Sequence, residues 1–91
     1  MGAVAETLSR KLTAAFAPAH LQVDDDSARH AGHAGAHAGG ESHFNVTIES
    51  PAFTGVPRVQ RQRMVHAALA EELAGPVHAL SVKALAPGEG A

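Results

Sequence analysis

A chain of 91 residues with no cysteine and a formal net charge of −2 is long enough for one small domain and too short for two. Apolar residues make up 45% of it but aromatics only 3%, so the core must be built from Leu, Val, Ile and three Phe. These figures exclude a disulfide framework, a thiol nucleophile and a global basic field that would recruit nucleic acid, while seven histidines make the charge unusually sensitive to pH.

In chain order, Val4, Leu8, Leu12, Ala15 and Phe16 recur at helical spacing and predict a helix from about Ala3 to Ala17, stopped by Pro18. His20 to Asp24 alternates, with Leu21 and Val23 on one side, and reads as a short strand ended by Asp24-Asp25-Asp26-Ser27. From Ala28 to Gly40 the unit His-Ala-Gly recurs at 30–32, 33–35 and 37–39. The whole stretch 28–42 lacks an apolar period and reads as a flexible loop, long for a hairpin. His43 to Glu49 alternates strictly, with Phe44, Val46 and Ile48 facing in. Ser50-Pro51 ends that strand, and Phe53 is expected to tuck back onto the core.

A second helix is predicted from Pro57 to about Ala74, with Pro57 at its first position and Met64, Val65, Ala68, Leu69 and Leu73 as its buried stripe. Gly75-Pro76 stops it, and Val77 to Leu85 is the last strand, with Leu80, Val82 and Ala84 on one face. The domain is drawn as 1–87, with a disordered tail at 88–91. The order helix-strand-strand-helix-strand implies an α/β (α+β) fold. An antiparallel hairpin is followed by a parallel pair with a right-handed crossover, giving a three-stranded mixed sheet with helices on one face. The start has no signal-peptide pattern, Glu6 departs from a myristoylation site, and no apolar run approaches transmembrane length, so the expectation is a soluble cytoplasmic protein.

Three constellations could carry chemistry. The first joins His78, at the start of the last strand, to His30, His33 or His37 in the loop, because imidazole binds transition metals and two histidines can replace two thiolates on an iron–sulfur cluster. Spacing alone favours the plainer reading of a solvated linker and a surface histidine, since no spacing here is diagnostic of a metal site. The second is Arg58, Arg61 and Arg63 at the start of the second helix, with Arg10 and Lys11 on the first, which could meet phosphates and which by position alone read as a solvated face. The third, Gly32-His33-Ala34-Gly35, has the form of a backbone-clamping G-x-x-G loop but is explained by local composition. Nothing resembles a catalytic motif, and an enzyme is not expected.

The run Val59-Gln60-Arg61-Gln62-Arg63-Met64-Val65, then Ala68-Leu69, Glu71-Glu72-Leu73 and Gly75-Pro76-Val77-His78-Ala79-Leu80-Ser81-Val82-Lys83-Ala84 with Pro87, resembles the BolA family. So do Glu41-Ser42-His43-Phe44 and Ser50-Pro51-Ala52-Phe53-Thr54-Gly55, and the match covers roughly residues 4–87. The resemblance implies a class II KH-like fold and two roles of different kinds. In the first, a member pairs with a monothiol glutaredoxin of the CGFS type and shares or passes on a [2Fe–2S] cluster. The family's C-terminal ligand histidine falls on His78 and its loop histidine on His30, with His33 a competitor and His37 a weaker one. The partner's cysteine and glutathione would supply the thiolates, no cluster is expected on the isolated chain, and sharing should weaken below about pH 6 as imidazole protonates. His43 matches a family histidine read as structural or supporting.

In the second role, a member acts as a DNA-binding, stress-linked transcriptional regulator that influences cell shape, through the arginine-rich helix start. Gln62 stands where a histidine is frequent, and the net charge of −2 implies weak, salt-sensitive binding. The partners read from the sequence are thus a monothiol glutaredoxin, DNA in the second role and a second copy of the chain, with no membrane. A plain protein adaptor using the open sheet face is a third option.

Overall fold

The computed structural model describes residues 2–25 and 43–89. Helix α1 (Ala3–Phe16) leads into strand β1 (His20–Asp25); strand β2 (His43–Glu49) follows, then a single 3-10 turn (Pro51–Phe53). Helices α2 (Arg58–Ala68) and α3 (Ala70–Ala74) precede strand β3 (Ala79–Leu85). The sheet has the order β1-β2-β3, with β1 antiparallel and β3 parallel to β2. The mixed α+β architecture and its element order are therefore those the sequence predicts.

Alternation along β2 sorts its residues by face. Phe44, Val46 and Ile48 are buried, while His43, Asn45, Thr47 and Glu49 are half-buried on the side away from the core. The core joins those three to Ala5, Leu8 and Leu12 of α1, Phe53, Val65 of α2, Leu69 between α2 and α3, Val77, Ala84 and Ala86. On α1 the buried stripe runs through Ala5 rather than Ala15, which is exposed. Phe16, at the helix end, is half-buried and lies against Phe53 with ring centroids 5.1 Å apart.

The helix closes at Ala17 in the left-handed region (φ 44°), where its N–H donates to the Thr13 carbonyl at 3.0 Å. Ser50 then ties this corner. It is fully buried, its hydroxyl donates to the Phe16 carbonyl at 2.6 Å, and its oxygen accepts from the Ala52 N–H at 3.1 Å. Two backbone bonds finish the same end of the sheet, Ala19 N–H to the Glu49 carbonyl and Ser50 N–H to the Leu85 carbonyl, both at 2.9 Å.

Three boundaries differ from expectation. Pro57 caps α2 from outside, with extended backbone (φ −60°, ψ 150°), and the helix starts at Arg58. The predicted single helix to Ala74 breaks at Leu69 (φ −111°, ψ 20°), whose N–H is shared between the Val65 and His66 carbonyls at 3.2 Å each. That tightened turn keeps Leu69 fully buried and redirects α3, so that Glu71 and Glu72 reach Lys11 of α1 at 3.2 and 2.7 Å. Finally β3 begins at Ala79 rather than Val77. Val77 is instead a buried anchor of the connection, its N–H bonded to the Glu72 carbonyl at 2.9 Å. Among the described residues no helix is long and apolar enough to cross a membrane.

Candidate functional site

The parallel register of β2 and β3 places His43 opposite Ala79. His78, the residue before Ala79, therefore stands beside His43 at one end of the sheet. Their rings lie nearly parallel, with an interplanar angle of 17° and centroids 6.5 Å apart. His78 is exposed and His43 half-buried. The buried neighbour Val77 holds the backbone on one side of His78, and the β3 ladder holds it on the other.

Two nitrogens bound to one transition-metal ion lie no more than about 4 Å apart, given metal–nitrogen bonds of roughly 2.0–2.1 Å. The His43 and His78 ring centroids stand 6.5 Å apart, so as placed the two rings are neighbours rather than a formed ligand pair. Among the described residues no cluster of three or more His, Cys, Asp or Glu could hold a metal alone. The chain also has no cysteine.

Of the sequence candidates, His78 takes the predicted place, although just outside the strand rather than within it. His30, His33 and His37, together with the loop reading of 28–42, lie outside the described residues. The described residues flanking that segment, Asp25 and His43, stand at the same sheet end as His78, since Asp25 pairs with Phe44. The residue that sequence reasoning set aside is His43. Its position on the outward face of β2 was legible from alternation, but its nearness to His78 depends on strand register.

The arginine set divides. Arg58 and Arg63 are exposed on α2. Arg61 is not on a solvated face: it is 6% exposed, and its Nε–H donates to the Val56 carbonyl at 2.7 Å. Its Nη1 donates to the Ala84 carbonyl at 3.1 Å and to Glu89 Oε1 at 2.5 Å, and its Nη2 donates to Glu89 Oε2 at 3.1 Å. Buried and held by Val56, Ala84 and Glu89, Arg61 is therefore withdrawn from the solvated face on which its sequence position placed it. Gln62 is likewise committed, its amide donating to the Val82 carbonyl at 2.7 Å.

The same contacts correct the expected disorder after Pro87 for Gly88 and Glu89, because the carboxylate of Glu89 also accepts the Ala86 N–H at 2.8 Å. The Arg61 hydrogen bond, reinforced by that N–H, holds the Glu89 carboxyl at about 2 against an ordinary 4.5, and the Arg61 guanidinium is pushed above its usual value by its bond to Glu89.

Comparison with known proteins agrees with the architecture. The protein-family model described as BolA-like protein matches residues 12–89. BolA-like protein 1 of Homo sapiens is 43% identical over 89 residues, covering 98% of this chain and 62% of its own length, so the chain spans about three fifths of that relative. The DNA-binding transcriptional regulator BolA of Escherichia coli K12 is 46% identical over 79 residues, covering 87% of this chain and 71% of the relative. Among solved structures, the BolA domain of SufE1 from Arabidopsis thaliana superposes with a TM-score of 0.86 at 37% identity, covering 98% of each chain.

Proposed function

The chain belongs to the BolA-like protein family, and from that membership and the side-by-side imidazoles of His43 and His78 we propose a non-enzymatic partner of a monothiol glutaredoxin that shares or passes on a [2Fe–2S] cluster. The observation that carries the reading is the imidazole pair at the sheet end, with no thiolate in the chain to accompany it. Two imidazoles can replace two thiolates on one iron of such a cluster. His78 is the principal ligand in this reading, and His30 or His33 is its loop counterpart. His43 lies close enough to orient His78 or to stand in for the loop histidine. The partner's cysteine and glutathione supply the thiolate side. A ligating imidazole must be unprotonated, so sharing weakens as the solution is acidified.

The test is visible absorption and circular dichroism after mixing the protein with cluster-loaded monothiol glutaredoxin. A new charge-transfer spectrum that disappears in His78→Ala is expected. A spectrum unchanged by that substitution rejects the assignment.

A second reading, a DNA-binding regulator, is favoured by the 46% identity to the E. coli regulator and by the exposure of Arg58 and Arg63. Anisotropy titration against duplex DNA at physiological salt decides it. Each true phosphate contact removed, by Arg58→Ala or Arg63→Ala, should lower the salt slope by about one.

A further inference from the structure

Arg61 is oriented before any side chain meets it. Its Nε–H and one Nη1–H donate to the carbonyls of Val56 and Ala84, which belong to the loop before α2 and to β3. Those two bonds fix the plane of the guanidinium and leave its outer N–H groups pointing at the Glu89 carboxylate. The Ala86 N–H converges on the same carboxylate. Arg58 and Lys83 line the adjoining depression of about 420 Å³. A planar fork and a backbone N–H around one carboxylate, with the Arg58 charge acting on it and Lys83 on the wall of the same depression, form an oxyanion receptor with a ligand already in it.

We propose that this depression between α2 and β3 is a binding site for a phosphate group, and that Glu89 occupies it in cis as a displaceable stand-in. Three physical points support exchange. The fork is held by backbone carbonyls, so it keeps its geometry when Glu89 leaves and little ordering remains to oppose binding. The Glu89 side chain is 42% exposed and sits in the turn after β3, so it has a way out into solvent. A phosphate dianion brings twice the charge of the carboxylate it replaces and meets Arg58, Arg61 and Lys83 together. A carboxylate ligand would only repeat what Glu89 already supplies, which is why phosphate is the chemistry chosen.

The site lies at the opposite end of the sheet from His78 and does not rest on the histidine reading. The experiment titrates the intact chain with inorganic phosphate and follows the arginine Nε–H resonances and the phosphorus signal. Wild type, Glu89→Gln, and Glu89→Gln combined with Arg58→Gln and Lys83→Gln are compared, each checked by thermal melting. Glu89→Gln keeps one acceptor oxygen for Ala86 and Arg61 Nη1, sets an amide N–H2 against Nη2 and removes the charge, and it should bind phosphate about tenfold tighter or better than wild type. Neutralising Arg58 and Lys83 should return the affinity to the wild-type level. Glu89→Asp, whose carboxylate is drawn back by one methylene, should fall between and serves if the glutamine variant melts early.

A parallel titration with mixed-sequence duplex DNA separates the two sources of the group. A gain with phosphate alone assigns a free phosphate or phosphomonoester, and a gain with DNA assigns a polymer backbone. No gain with either, or a gain that survives loss of Arg58 and Lys83, overturns the proposal.

Discussion

The two ends of the sheet are built on opposite plans. Where β2 and β3 finish, side chains are tied across elements: Ser50 to Phe16 and Ala52, Arg61 to Val56, Ala84 and Glu89, with Phe53 fully buried beneath. Where β2 and β3 begin, the His78 and His43 rings lie side by side, with His78 open to solvent. The lesson is one of construction along a single strand pair: one end is knitted by buried hydrogen bonds, and the other presents an exposed imidazole beside a half-buried one.

The contrast breaks most severely at Phe53. Phe53→Ala removes a fully buried ring and its partner for Phe16, and should destabilise the domain by about 3–5 kcal/mol in urea titration. A loss under about 1 kcal/mol would mean that the tied end is not where stability resides. Ser50→Ala should follow at about 1–3 kcal/mol, because it removes a buried hydroxyl and leaves the Phe16 carbonyl and the Ala52 N–H without it in a part-buried corner.

A smaller effect belongs to Glu89. Its carboxyl titrates at about 2 when folded and at 4.5 otherwise, so its contribution is complete above pH 4.5 and fades as the pH falls toward 2. Glu89→Gln should flatten the acid limb of the stability curve in that window, and an unaltered limb would deny the latch any part in it. The smallest effect is expected at the other end. His78→Ala should leave the urea midpoint within about 0.5 kcal/mol of wild type, since the ring is exposed, while removing the shared spectrum. A large loss of stability there would erase the contrast.

Much of this was legible before the structure. Strict alternation from His43 to Glu49 announced both the strand and its buried face, and Gly75-Pro76 marked where α3 must stop. The gaps share one physical origin, which is partnership at long range. Arg61 sits among polar residues at a helix start and looks solvated. Its partners are two backbone carbonyls and a carboxylate 28 positions on, none of which leaves a local pattern. His43 and His78 lie 35 positions apart, and only the one-residue register of a parallel pair brings their rings together. The break at Leu69 follows from how the core holds one leucine, which no helix propensity encodes.

The bonds from Gln62 to the Val82 carbonyl and from Arg61 to the Ala84 carbonyl have a consequence for self-association. β3 is an outer strand, and its outward carbonyls would otherwise offer a template for a strand from another molecule. Two side chains of α2 already fill two of those acceptors, at Val82 and Ala84. The other outer strand, β1, is short and ends in Asp24 and Asp25, whose like charges repel a second copy laid alongside. The sheet thus carries occupied acceptors over the second half of one margin and paired aspartates at the end of the other, two features that disfavour sideways strand addition.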